Sequence, residues 1–173
     1  MREIREFLKS NRKIIEIRYK GARLNAACDW YKLRSPFLMA FRGLLNEIFK
    51  KIPPCGLKNS LYRSMGVKIG KDVVISPDAH LDPLFPELIE IDDGVILGWS
   101  SKIFAHEMTN HKIRLGRIKI KRNACIGGCS VIRSGVTIGK NSVVSMSSFV
   151  NKDVKDNLLV GGIPANKLNK DNI

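Results

Sequence analysis

The chain has 173 residues, 44% of them hydrophobic, and a formal net charge of +14. That length suits one domain with an appendage; no apolar run reaches the roughly 20 residues a bilayer span needs, and the charged start MREIREFLKSNRK lacks the apolar core of an export signal. Cys28, Cys55, Cys125 and Cys129 contain no CxxC pair, so reduced thiols and a cytoplasmic setting are expected.

Residues 1–66 carry 15 Lys and Arg against 5 Asp and Glu, while residues 67–173 carry 15 against 11. The basic character therefore belongs mainly to the N-terminal segment, which the spacing predicts to be helical. In REIREFLKSNRKIIEIRY the apolar Ile4, Phe7, Leu8, Ile14, Ile15 and Ile17 fall near helical spacing, weakened further on by Gly21 and Asn25. Ser35-Pro36 marks a new helix start, with Ser35 as N-cap. The strongly apolar FLMAFRGLLNEIF follows, Lys50-Lys51 suits a helix C-terminus, and Pro53-Pro54 stops it. Two readings of this second helix stay open. It packs on the rest of the molecule or a neighbouring subunit, or it lies peripherally on an anionic membrane surface, the inner face of the cell membrane. No nucleic-acid motif accompanies the charge, so nucleic acid is not an expected partner.

From about residue 69 the chain is written in sixes. Ile69, Ile75 and Leu81 are followed by a break at DPLFPEL, whose Pro83 and Pro86 cannot donate to a strand ladder. The register resumes at Ile91, Leu97 and Ile103, breaks again over FAHEMTNHKIRLGRIK, and returns at Ile120, Ile126, Ile132, Ile138, Val144 and Val150. Small residues stand four places after these anchors, among them Val73, Ala79, Val95, Ser101, Ala124, Ser130, Val136, Ser142, Ser148 and Val154. Neither a helix nor an alternating strand requires a period of six, whereas a solenoid does, because each short strand stacks on its copy one coil away. Three sixes make a triangular coil, so twelve give about four coils and a prism roughly 20 Å tall. Anchors are expected to fill the interior and the small fourth residue to turn the corner. The tail DNLLVGGIPANKLNKDNI is expected to leave the repeat. The expected division is 1–66 basic and helical, 67–155 solenoid with an extruded loop at about 104–119, and 156–173 tail.

These sixes resemble those of the hexapeptide-repeat acyltransferases, whose fold is a left-handed parallel β-helix. The resemblance covers about residues 61–168. The ending VNKDV…GGIPAN is similar to that of the maltose/galactoside and xenobiotic O-acetyltransferases. The stretch LYRSMGVKIGKDVVISPDAHLDPLFPELIEIDDGVILGW is closer to a subgroup found with polysaccharide-modifying acetyltransferases. The resemblance implies acetyl-CoA as donor and a hydroxyl or amine of a sugar-containing molecule as acceptor. It also implies a homotrimer with clefts between prisms, and direct transfer without an acyl-enzyme, so that neither Cys125 nor Cys129 is a nucleophile.

Transfer to a hydroxyl needs a base, and an imidazole suits that task near neutrality. In the family the catalytic histidine sits where the chain leaves the helix for its loop, a position matched by His106; His111 is the competitor in the same loop and a candidate acceptor contact. Family contacts to the cofactor map to Gly128, whose amide would support the oxyanion, and to Met146, Asn151, Lys152, Pro164, Ala165 and Lys167. Met146 is bulkier than the family's usual small residue. Where many relatives read NVWIG this chain reads NACIG, so Cys125 replaces a tryptophan of the acceptor wall. Trp99 is a further wall candidate, and Asp82 either approaches the acceptor or orients His106. No metal is expected. A rival reading is a γ-class carbonic anhydrase-like zinc site built from His80, His106 and His111, the chain's three histidines. Another is a non-catalytic scaffold.

Overall fold

A computed structural model describes residues 2–21 and 23–168. Residues 169–173, the end of the expected tail, lie outside the described residues. Strands of two to four residues stack into three parallel faces of a left-handed β-helix. The first face is built from β2 (Lys68–Ile69), β5 (Ile89–Ile91), β10 (Ile118–Ile120) and β13 (Thr137–Ile138). The second holds β3 (Val74–Ile75), β6 (Ile96–Leu97), β11 (Cys125–Ile126), β14 (Val143–Val144) and β16 (Leu159–Gly162). The third holds β4 (His80–Leu81), β7 (Lys102–Ile103), β12 (Val131–Ile132) and β15 (Phe149–Val150).

Anchors pair only with anchors: Ile69 with Ile91, Leu97 with Ile126, Ile103 with Ile132. Each projects into a dry interior column, where Ile75, Leu97, Ile103, Ile120, Ile126, Ile132, Ile138 and Val144 are all fully buried. Burying one such side chain contributes about 1.5–3 kcal/mol.

The corners turn differently from the sequence expectation. The residue three places after the anchor takes the left-handed backbone conformation, as at Asp72, Asp78, Gly94, Ser100, Asn123, Cys129, Asn141 and Ser147. Residues tolerant of positive φ are favoured there, chiefly Gly, Asn and Asp. The small fourth residue is instead buried behind the corner; Ala79, Val95, Ser101, Ala124, Ser130 and Ser142 have no exposed surface. Its size limit comes from the narrow end of the triangular interior.

The tail also departs from expectation. Val154 is an anchor of the first face, bridged to Ile138, because the corner NKD is two residues short. Six residues later Val160 stacks on Val144, so the solenoid runs through Gly162 before turning back into β17 (Ala165–Lys167).

The N-terminal segment is only partly helical. It contains α1 (Arg2–Lys9), a 3-10 helix (Ala26–Lys32), α2 (Pro36–Lys51) and α3 (Gly56–Ser64). The stretch Ile14–Arg18 is a strand, β1, since β-branched Ile15 and Ile17 alternate with outward Glu16 and Arg18. It pairs antiparallel with β9 (Lys112–Gly116), itself paired with β8 (His106–Met108). The expected extruded loop is therefore an ordered hairpin in a three-stranded sheet. Arg117 ties α1 to this sheet, donating to the carbonyls of Phe7, Leu8 and Ser10.

Helix α3 closes the open end of the first coil. Lys58 is fully buried there and donates to the carbonyls of Ile52 and Ser76 at 2.8 and 3.1 Å. Asn59 donates to the Val73 carbonyl at 2.7 Å. Tyr62 packs edge-on against Phe49 of α2. Ser35 stands at the N-cap of α2 but makes no side-chain cap bond.

Ile132→Ala removes a fully buried anchor from the middle of the third face. A loss of about 2–5 kcal/mol is expected, measured by chemical denaturation; a loss below about 1 kcal/mol would mean that the column is loosely packed.

Candidate active site

Both interruptions of the repeat leave from the third face, in consecutive coils. The first follows Leu81 and the second follows Ile103, which are direct neighbours in the β4–β7 ladder. The first residue of the first break, Asp82, therefore lies beneath the start of the second.

Asp82 is fully buried. One carboxylate oxygen accepts from the amides of Leu84 at 2.8 Å and Phe85 at 3.4 Å. The other accepts from the amides of Ala105 at 2.9 Å and His106 at 3.0 Å, and lies 2.5 Å from His106 Nδ1. Burial pushes the carboxyl upward, but hydrogen bonding and charge from His106, with the amides of Leu84 and Ala105, outweigh it and hold it below the usual carboxylate range. An ionised carboxylate only accepts, so Nδ1 carries the proton of this contact; in the neutral imidazole that tautomer leaves Nε2 as the acceptor. The His106 side chain is 24% exposed, enough to meet a ligand. Phe85 packs beside it at 6.1 Å between ring centres, and Arg34 stacks on Phe85 at 4.9 Å. Of the two roles expected for Asp82, an enclosed carboxylate in contact with Nδ1 fits orienting the imidazole rather than meeting an acceptor.

The next residue, Glu107, was not singled out by the sequence. It takes a bidentate contact from Arg133, at 2.9–3.1 Å, and a hydrogen bond from Ser134. Arg133 and Ser134 open the next coil's corner, so Glu107 ties the hairpin to the solenoid. The signal available was Arg133 at the same corner position as the start of the break.

The cofactor candidates divide between two corners. Gly128 sits at the second-to-third corner with Trp99 below and Met146 above. A carbon added at Gly128 would lie 3.0 Å from the Trp99 carbonyl oxygen and 3.5 Å from Met146 Cε. Gly128 is buried while Trp99 and Met146 are exposed. The thioether thus lies over the glycine. The same column ends in the β16–β17 hairpin carrying Pro164, Ala165 and Lys167. Asn151 and Lys152 lie elsewhere, at the third-to-first corner after Val150, on the side from which His106 emerges. Cys125 lies on the second face between Ile96 and Val143. Burial raises its thiol pKa, which disfavours the thiolate. His111 is exposed at the hairpin tip, where its carbonyl accepts from the Tyr19 amide.

The three histidines have separate environments. His80 Nδ1 accepts from Asn46 at 3.1 Å, and burial pushes its pKa down. His106 is held by Asp82, and His111 is at the tip. Among the described residues no three metal-ligating side chains converge.

A solved hexapeptide-repeat acetyltransferase, VCA0836 of Vibrio cholerae, crystallised with acetyl-CoA, superposes with a TM-score of 0.66 over 98% of each chain at 24% identity. No protein-family model matches the chain. Over 131 residues it is 37% identical to YvoF of Bacillus subtilis, assigned as an acetyltransferase, spanning 75% of this chain and 76% of that one. The chain belongs to the hexapeptide-repeat acetyltransferases. The acetyltransferase assignment extends to SAS0727 of Staphylococcus aureus, 34% identical over 122 residues and 70% of this chain, 76% of that one.

Within this acetyltransferase the Asp82 carboxyl has a lower pKa folded than unfolded, so its contribution to stability is present above about pH 4 and lost as pH falls through the folded value. Asp82→Asn should lower stability at neutral pH by on the order of 3 kcal/mol and flatten the acid limb. Denaturant titrations from neutral pH to below pH 4 test this; parallel pH profiles for the two proteins would show that Asp82 is not ionised in the fold.

Proposed function

We propose that the protein transfers an acetyl group from acetyl-CoA directly to a hydroxyl of a sugar-containing acceptor, with His106 as general base. The observation that supports this most strongly is the short contact between His106 Nδ1 and a buried, ionised Asp82. With the proton of the neutral imidazole held at Nδ1, Nε2 is the acceptor on a side chain that is partly open to solvent. Nε2 takes the acceptor hydroxyl proton as that oxygen attacks the thioester carbonyl. The tetrahedral centre then collapses, the carbon–sulfur bond breaks, and the imidazolium returns its proton to the departing thiolate. His111, exposed and without a carboxylate partner in the described chain, is less suited to this role.

The oxyanion requires an N–H donor in place beforehand, and the Gly128 amide is the proposed source. His106 and Gly128 leave from different corners of one prism. A site using both is completed by packing one prism against the next, which favours a homotrimer with its clefts between subunits. Asn151, Lys152 and the hairpin at Pro164, Ala165 and Lys167 are proposed to flank the donor. Trp99 and Cys125 are proposed to wall the acceptor side.

His106→Ala should lower turnover by roughly 10²–10⁴-fold while leaving the thermal stabilisation by acetyl-CoA intact, about 2.7 kcal/mol at a hundredfold excess over Kd. An acceptor screen with labelled acetyl-CoA, with this variant as blank, reads the first quantity. Near-wild-type turnover would sink the base assignment. Met146→Ala uncovers Gly128 and should tighten acetyl-CoA binding; unchanged affinity would place the donor away from that corner.

A further inference from the structure

Helix α2 turns its most apolar side to solvent. Phe37, Phe41, Leu44 and Ile48 recur at intervals of four, three and four, a single stripe along a helix about 24 Å long. They are 84%, 53%, 62% and 52% exposed. The opposite side is committed to the fold: Asn46 and Phe49 are buried, Asn46 donates to His80, and Phe49 packs on Tyr62. The helix is therefore held rigidly by its polar and aromatic back while presenting a greasy front.

A pocket of about 280 Å³ opens at the N-terminal end of the helix, between α1 and α2. Leu8, Leu33 and Leu38 supply its apolar lining, and Arg5, Lys32 and Arg34 its cations. Two of these cations have partners: Lys32 pairs with Asp29 and Arg34 with Glu87. The wider balance remains basic, with seven Lys and Arg against two acids over residues 26–66. A second copy docking through this same surface, as in a two-fold dimer, would bring the same +10 segment to it and be repelled. An apolar stripe with an excess of cations around it instead matches acyl chains beneath anionic headgroups.

We propose that the outer face of α2 docks flat on an anionic phospholipid bilayer, with the pocket at its N-terminal end receiving a lipid phosphate and part of its acyl chain. Docking also sets the site's position. The Arg34 end of α2 stacks on Phe85, which packs on His106, so the imidazole lies close to the lipid-facing end. This surface stands independently of the acetyl-transfer reading.

The test is co-sedimentation of the full chain with phosphatidylcholine vesicles and with mixed phosphatidylcholine–phosphatidylglycerol vesicles. Binding is expected to the mixed vesicles, weakening as salt rises. Phe37→Ser/Phe41→Ser and Leu44→Ser/Ile48→Ser should each weaken it by roughly tenfold or more, with the acetyl-CoA thermal shift unchanged from wild type. Phe41→Trp keeps the stripe apolar, and its emission should shift to the blue on mixed vesicles only. Failure of the wild type to bind, equal binding by the serine variants, or an unshifted Phe41→Trp emission would each overturn the proposal. So would a fall in oligomer mass in the serine variants, which would show that a second copy covers the stripe.

Discussion

In-register stacking of the anchors is the constraint from which the rest of the architecture follows. A strand of two residues cannot slip by one without turning its anchor outward, and the anchors of the middle coils each face their counterparts above and below. Extra residues are therefore admitted only at corners. Both long insertions use the same corner, in consecutive coils, and the ladder superposes them. Leu81 lies against Ile103, so the residues that follow each are brought together as well. The carboxylate–imidazole pair is a product of that register. Neither insertion carries both partners.

The pair also shows how a buried charge is tolerated. Five donors converge on Asp82, four of them backbone amides fixed by the two insertions. A lone carboxylate in such a place would protonate; this one is held ionised by its surroundings. Immediately beyond His106, Glu107 repeats the device in a wetter setting, gripping Arg133 and Ser134. Alternation along β8 places consecutive side chains on opposite faces, so one residue serves the candidate chemistry while its neighbour anchors the strand.

The solenoid was legible in the sequence because its determinant is periodic and local. The breaks were legible because prolines and lost periodicity announce them. What could not be read depended on distant partners or on a changed spacing. IIEIR has apolar residues compatible with either a helix or a strand, and its ladder partner is Lys112–Gly116, far along the chain. Val154 reads as a small corner residue if the sixes continue unbroken, but the turn before it is two residues short. The sequence left Asp82 as either an acceptor contact or an orienting group, and an aspartate before proline also suits a plain turn. It does accept from the Leu84 amide as a turn aspartate would, and only the superposition of the two breaks shows what its other oxygen holds. The roles of Gly128 and Met146 came from resemblance; their mutual packing required the corner to be built.

Strand β1 gives the molecule an order of assembly. A solenoid can grow coil by coil from local contacts, and most of this one joins residues within two coils. The sheet behind His106 does not: Glu16 meets Arg114 across 98 residues of chain. During synthesis β1 is made before its ladder partner and stays unpaired until the hairpin has left the ribosome, and the strands of the lower coils lie between the two in the chain. The corner bearing the candidate base therefore cannot close until residues 112–116 are made, whereas the first two coils beneath it need nothing beyond Ile103.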